Sequence, residues 1–346
     1  MFGIFAVIVG FLTLLSVIDK PQLPKLSSGI TIILMAICIA LIYFAPEGFD
    51  KMQYRDIYLG LSEWSDRGKD LGWEVYNSIL RHIFGPHSNL FFLTTAILYT
   101  LCFYVFSRYK LPTGYEYYFL VLLFISLGYY SGGTNVMRTG IATGLIYVAL
   151  AQSRKLWWFA LFSFLAYTIH GSALLMIAGL VIGMILPKNK IYLGIWMICA
   201  LLSKSGILTS FISPLLDDTL EEAQRLNKYL NASDDVLDLY ENMGWRLDFI
   251  IYSAIPLIFV WFYKYKCGFK DKFYDMVITE YLLCNSFWLC VIIMPFTDRV
   301  ALLSWVFIPI LCSYPIFISN KIKNKGLTLA AAITVPLSLQ IMYLIR

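Results

Sequence analysis

Apolar runs long enough to cross a bilayer follow one another along this chain almost without interruption. A hydrocarbon core of ~30 Å takes about 20 residues of helix. Read with that ruler, the runs give spans at 2–18, 29–45, 90–107, 117–131, 136–152, 156–170, 172–186, 191–207, 247–263, 275–294, 300–318 and 326–344. The pattern predicts an all-α polytopic membrane protein of about twelve transmembrane helices, in a single transmembrane domain over 1–346. The first run lacks a basic leader and an A-x-A cleavage site, so it reads as a retained span. The apolar stretch from 156 to 186 is too long for one span, which places a turn at His170-Gly171-Ser172.

Two segments break the rhythm, 46–89 and 208–246. Both are rich in Asp and Glu yet keep apolar residues at helical spacing, so they predict amphipathic outer segments, lid-like insertions on the bundle. The first holds Ile57, Leu61, Trp64, Trp73, Tyr76 and Leu80 and predicts short surface helices. In the second, Ser213 is placed as an N-cap and Pro214 at the first helical position, with Asp217, Asp218, Glu221 and Glu222 loading the early turns. A second short helix is expected from Ser233 toward Trp245, and Asn231-Ala232-Ser233 reads as a chance sequon. A protein that only conducts needs no such covers. They suggest a cavity open to the outer leaflet and a lid over an amphiphilic substrate.

Composition sharpens this picture. The chain is 59% hydrophobic and 14% charged, against roughly 25% charge in a soluble domain, which excludes an ordinary cytosolic enzyme. A net charge of +5 without a basic stripe leaves no nucleic-acid partner. Lys20, Lys25, Arg108, Lys110, Arg154, Lys155, Lys188 and Lys190 fall in alternate loops, as do Lys264, Lys266, Lys270, Lys272, Lys321, Lys323 and Lys325. By the positive-inside rule those loops are cytoplasmic, and both termini and both acidic segments face outward. Six of the seven cysteines lie inside spans and Cys267 in a cytoplasmic loop, so neither a disulfide framework nor a thiol metal site is expected.

Charges at membrane depth are costly and mark function. Gly132-Gly133 breaks the helical pattern, Asn135 is placed as a cap on the next helix, and Arg138 then sits at the outer end of a span. His170 ends an outward helix, Arg246 and Asp248 enter the ninth span, and Asp298 and Arg299 lie between the tenth and eleventh. These residues converge on one outer boundary, with Arg55 descending on them from above. Several guanidinium groups around one cavity call for an anion bound through paired hydrogen bonds, and a lipid pyrophosphate fits both charge and depth. No D-x-D, H-E-x-x-H, glycine-rich phosphate loop or G-x-S-x-G stands where it would matter, so no metal and no cofactor are expected. Glu280, with Asn285 and Ser286 on the same helix, reads as structural pairing before ion coupling. The glycines of 140–144 and 179–183 read as close helix packing.

The stretch FDKMQYRDIY, the segment GWEVYNSIL, the block MRTGIATGLIYVALAQSRKLWWFALFSFLAYTIHGSALL and DRVALLSWVFIPIL together resemble the EpsG family, a Wzy-type group of bacterial polysaccharide polymerases. The family usually has Gly-Thr-Asp before its spaced tyrosines where this chain has Gly48-Phe49-Asp50, which leaves Asp50 without an assigned role. The resemblance implies a GT-C-like, metal-independent membrane glycosyltransferase of the bacterial inner membrane, with its active site facing the periplasm or cell exterior. It would transfer a growing glycan from one undecaprenyl pyrophosphate to the terminal sugar of another lipid-linked repeat unit, beside a flippase and a chain-length regulator as partners. His170, Arg138, Arg299, Asp298 and Asp248 are the expected catalytic residues, with Asp248 or Asp298 as base if His170 binds pyrophosphate. Arg55, Arg246, Asn135, Tyr54 and Tyr58 are the expected substrate-binding residues. A ligase using the same donor and a lipid-linked oligosaccharide flippase or transporter are the competing readings.

Overall fold

The computed structural model describes residues 2–46, 49–61, 70–216, 245–293 and 297–345. Helices α1 (Phe2–Val17) and α2 (Ser28–Tyr43) are followed by α3 (Phe49–Leu59) and α4 (Leu71–Phe84), which make up the described part of the first outer segment. The bundle continues with α5 (Ser88–Lys110), α6 (Glu116–Phe124), α7 (Leu127–Thr134), α8 (Met137–Ala151), α9 (Leu156–Ile169), α10 (Ala173–Ile185), α11 (Asn189–Leu202) and α12 (Ile207–Leu216). After it come α13 (Leu247–Trp261), a π-helical turn over Phe262–Lys266, α14 (Lys272–Val291), α15 (Asp298–Trp305), α16 (Ile308–Ile318) and α17 (Lys325–Ile345). Among the described residues there is no strand. Ser88–Lys110, Leu247–Lys266 and Arg299–Ile318 are long and apolar enough to cross a membrane, and six shorter apolar helices accompany them. The chain is an all-α membrane protein.

Several expected elements differ in detail. The span expected at 117–131 is two helices, because Ser126 turns to an extended conformation and its hydroxyl donates to the Leu123 carbonyl at 2.5 Å. The run at 300–318 pauses between α15 and α16, where Pro309 has no N–H to continue the ladder. Gly132-Gly133 does not break a helix. Both glycines lie inside α7 and allow close approach: a Cβ at Gly132 would stand 2.5 Å from the Tyr99 hydroxyl and one at Gly133 2.7 Å from Ile42. The break comes after them, and Asn135 closes α7, with its amide on the Ser131 carbonyl, while Val136 takes the N-cap of α8. Ser213 is not an N-cap either, since α12 starts at Ile207, just past the left-handed Gly206, and runs through Ser213 and Pro214. Asp217, Asp218, Glu221, Glu222, the sequon and the helix expected from Ser233 lie outside the described residues.

The first insertion is built into the bundle. α4 packs on α5 and α9. Its buried face carries Trp73 and Leu80, while Leu71, Val75, Ile79 and Ile83, spaced four apart, form an exposed apolar stripe. Tyr58 of α3 stacks on Phe91 and donates its hydroxyl toward the Leu80 and Gly85 carbonyls, at 3.2 and 2.9 Å.

Within the bundle α14 packs against α10, α11 and α15. Gly183 permits the α10 contact, since a Cβ there would meet the Met276 carbonyl oxygen at 2.6 Å. Asn285 of α14 is the hub of a buried network: its amide donates to Ser304 at 2.9 Å and Ser253 at 3.2 Å, and its oxygen accepts from Trp196 at 2.7 Å. Glu280, one turn and a half earlier, is fully buried, and its polar neighbour is the Cys284 thiol of the next turn, which also points to the Leu175 carbonyl. The pairing found for Glu280 is thus with a thiol, and among the described residues no basic side chain pairs with it.

The alternate loops gather at one end. The Leu26 amide bonds Gly114 at 3.0 Å, the Lys325 amide bonds Pro21 at 3.1 Å, and Lys110 reaches Ser153 at 2.8 Å. Lys110 also lies 4.3 Å over the Phe273 ring, Lys321 donates to Gly268, and Asn189 donates to Asp275. All six basic loops thus share one face of the molecule, and α10 carries the chain from His170 at the other end down to them.

Candidate functional site

Four segments meet at the end opposite the basic loops: α3, the start of α4, the start of α8 and the α9–α10 turn. Gly72 lets α4 lie against α9, because a Cβ there would come within 2.5 Å of the Thr168 side chain and 2.8 Å of its backbone. That contact brings the N-terminus of α4 to the end of α9. Asp70 stands at the N-cap of α4, where a carboxylate ordinarily accepts from its own helix, but its side chain makes no cap. Instead it turns inward and is buried, only 5% exposed.

Three donors converge on it. Arg138, in the first turn of α8, gives a guanidinium N–H to Oδ2 in a buried ion pair. His170 Nδ1 lies 3.1 Å from the same oxygen, and the Gly171 amide donates to Oδ1 at 3.2 Å. His170 is placed by the helix end: its backbone is extended at φ −158°, so it ends α9, and its ring is buried. Burial pushes the Asp70 carboxyl up, but the His170 hydrogen bond, the charges of His170 and Arg138 and the Gly171 amide outweigh it and hold the group below its ordinary value. An ionised Asp70 can only accept, so His170 carries its proton on Nδ1. Nε2 makes no hydrogen bond among the described residues and is left to accept a proton. A carboxylate that fixes the tautomer of a histidine is the arrangement that makes imidazole a directed base.

The cluster extends onto α3. The Tyr54 hydroxyl is reached by both the backbone and the guanidinium of Arg138, and its ring packs edge-on to Trp73 at 5.7 Å. Burial pushes the Tyr54 phenol up in spite of Arg138, so it stays neutral. Asp50, one helical turn before Tyr54, pairs with Arg299 of α15 at 3.5 Å. A continuous chain of polar contacts therefore runs from Arg299 through Asp50, α3, Tyr54 and Arg138 to Asp70 and His170.

A family model of the EpsG family matches residues 25–346, nearly the whole chain. The chain belongs to the EpsG family. No curated protein and no solved structure matches it. Family membership and the apolar helices together make this a membrane protein of polysaccharide biosynthesis.

In this EpsG-family chain the expected site residues separate into groups. Arg138, His170 and Tyr54 share the Asp70 cluster, and Arg299 joins it through Asp50. Arg246 and Asp248 pair with each other at the start of α13, the Arg246 guanidinium lying 3.9 Å over Phe249. Phe249 packs on Trp305 of α15, which puts the pair on the helix that also carries Arg299. Arg55 is half-buried on α3 beside Tyr54. Asp298 is the first residue of α15, and its side chain lies outside what is described. Asn135 is exposed at the end of α7. Tyr58, expected to bind substrate, instead spends its hydroxyl tying α3 to the end of α4. Neither Asp70 nor Asp50 was singled out by the sequence: Asp70 has the look of an ordinary helix cap, and Asp50 sits where the family's usual triplet is altered.

The carboxylates change the electrostatics expected of the site. Three of the arginines have an acid beside them, Arg138 with Asp70, Arg299 with Asp50 and Arg246 with Asp248, so the boundary holds ion pairs and is not a bare cationic bowl. A guanidinium has five N–H donors, and one placed on a carboxylate leaves others for a phosphate oxygen. Among the described residues no three His, Cys, Asp or Glu side chains gather as a metal-ligand set.

Proposed function

We propose that this EpsG-family chain is a Wzy-type polysaccharide polymerase, working without a metal, that moves a growing glycan from undecaprenyl pyrophosphate to the terminal sugar of another lipid-linked repeat unit. The observation that carries the reading is Asp70 Oδ2 held between Arg138 and His170 Nδ1. In the reaction the acceptor hydroxyl oxygen attacks the anomeric carbon, the bond from that carbon to the pyrophosphate oxygen breaks, and the hydroxyl proton passes to His170 Nε2. The departing pyrophosphate takes the electron pair, and Arg138 and Arg299 stabilise its charge. Asp70 keeps His170 in the tautomer that can accept. Asp248 and Asp298 are the alternative bases at this end of the bundle.

The exposed stripe of Leu71, Val75, Ile79 and Ile83 begins beside Asp70 and offers an apolar track for the polyprenyl chain. Its position opposite the lysine-rich loops supports, by the positive-inside rule, a site on the outer face of the inner membrane, and the proposal takes the bundle as one of about twelve spans with GT-C-like architecture. The flippase and the chain-length regulator remain its expected partners.

The test is the lipid-linked glycan pool of cells lacking the protein. A polymerase leaves single repeat units exposed on the outer leaflet; single units trapped inside would show a flippase, and polymer still on its lipid carrier but missing from its final acceptor would show a ligase. Complementation with His170→Gln should give protein in the membrane and no polymer. Polymer of normal length and amount from that variant would remove the proposed base.

A further inference from the structure

At the basic end of the bundle a groove of about 480 Å³ opens between the start of α11, the end of α13 with its π-helical turn, and α14. That volume lies within the range of small-molecule sites, about 300–1,000 Å³. Its wall is apolar, formed by Leu193, Leu257, Val260, Trp261, Ile278 and Leu282. Its rim is cationic, with Lys188, Lys190 and Lys264. α13 is an apolar span of which only 22% is buried in the protein, so the wall continues into a helix face that meets lipid.

The charges on the rim are placed against local electrostatics. Lys188 is the N-cap of α11 and Lys190 stands in its first turn, at the positive end of the helix dipole, where cations are unfavourable. No side chain caps the helix there, so its first amides also point outward as donors. The acid on this rim, Asp275, is already engaged by Lys264 and by Asn189 at 3.0 Å. Lys188 and Lys190 are exposed, and Lys190 leans 5.9 Å over the Tyr265 ring. Trp261 and Tyr265, 51% and 59% exposed, suit the level of lipid headgroups.

We propose that this groove binds an anionic glycerophospholipid of the surrounding leaflet, its phosphate on Lys188, Lys190 and the α11 N-terminus and an acyl chain along the Leu257–Val260–Trp261 wall. Charge complementarity selects the occupant: an apolar trough alone would take any lipid, while two lysines beyond the Lys264–Asp275 pair favour a headgroup with net negative charge. The site is separate from the Asp70 cluster, since α10 alone, at 13 residues, spaces the two ends by about 20 Å. It does not depend on the reaction proposed above.

The full-length protein, purified in detergent, is titrated with phosphatidylglycerol and with phosphatidylcholine of the same acyl chains, and bound lipid is counted by native mass spectrometry. Phosphatidylglycerol should be retained about thirtyfold more tightly, at about fivefold per lysine. The double variant Lys188→Gln/Lys190→Gln should lose that preference and keep phosphatidylcholine binding unchanged. Because both lysines are exposed, the variant should keep the wild-type melting temperature. Val260→Trp, which fills the trough, should weaken both lipids. Equal retention of the two lipids by the wild type overturns the proposal, as does undiminished phosphatidylglycerol on the double variant. Complete displacement of the lipid by millimolar inorganic phosphate would also overturn it in favour of a free-anion site, and a dimer that covers the groove and holds no lipid would overturn it in favour of a second copy.

Discussion

Asp70 and Glu280 are both buried acids, 5% and 0% exposed, and the protein treats them in opposite ways. Asp70 is surrounded by a guanidinium, an imidazole and a backbone amide, delivered by α8 and the α9–α10 turn. Glu280 lies in the close α10–α14 contact, where a Cβ on Gly179 would meet its Cα at 3.1 Å, and its polar neighbour is the weakly donating Cys284 thiol. Removing one member of a buried charge pair costs roughly 3–5 kcal/mol because the other is stranded. An acid whose polar neighbour is a neutral thiol strands no charge. Burial alone therefore does not set Asp70 apart; the number of donors the fold brings to it does.

The sharpest way to break this contrast is to make the same chemical change at both positions. Asp70→Asn keeps the shape but can donate to His170 Nδ1, which moves the imidazole proton to Nε2 and removes the acceptor. Polymer synthesis in isolated membranes should fall about 10²–10⁴-fold, the range a positioned base contributes. Glu280→Gln should leave the rate within about threefold and the melting temperature unchanged or higher, because it removes a carboxyl whose burial only a weak thiol contact offsets. Equal losses from the two changes would abolish the distinction.

Next in size is the arginine that shares Asp70. Arg138→Lys keeps the charge but cannot serve Asp70, Tyr54 and a phosphate oxygen at once, so activity should drop by about 10²-fold. Arg299→Lys, whose partner Asp50 is more exposed, should lose less. A kinetic comparison of the two in the same membranes orders them, and a milder Arg138 effect would mean that the Asp50 pair, not the Asp70 cluster, holds the donor.

How far the sequence could anticipate this follows from the kind of signal each residue carries. Arg138 and His170 interrupt apolar runs, and an interruption is visible in one dimension. The turn at His170 was legible from the length of 156–186, and the glycines of α8 and α10 from their spacing. Asp70 was invisible because an acid ahead of a helix is what any N-cap looks like; only the approach of α4 to α9, set by Gly72 and Thr168, shows that its side chain has left the cap. The ion pairs were hidden for the same reason, since Asp50 and Arg299 lie 249 positions apart in the chain and meet across α3 and α15. Ser213 misled by resembling a cap inside a helix that begins earlier, at Ile207.

Gly72 gives the comparison a geometric test. Gly72→Ala puts a methyl group against Thr168, at 2.5 Å from Oγ1, and must lift the start of α4 from α9. Overpacking of this sort costs typically about 1–3 kcal/mol, and here it also draws Asp70 away from His170. Activity should fall about tenfold or more, and Thr168→Ala in the same chain should restore part of it by removing Oγ1. A Gly72→Ala protein with normal activity would show that Asp70 is positioned by Arg138 alone.

The smallest expected effect is the response to pH. Asp70 titrates below the ordinary carboxylate value of 3.8 in the folded protein, so the stability it lends is complete above that value and is lost only as pH falls through the lower, folded one. Between about pH 5 and pH 8 its contribution should be flat. The melting temperature measured across that window should hold. A melting temperature that falls between pH 7 and pH 5 in the wild type but not in Asp70→Asn would mean that the carboxyl takes up a proton in that range, and the donors around it would then be too weak to keep it ionised.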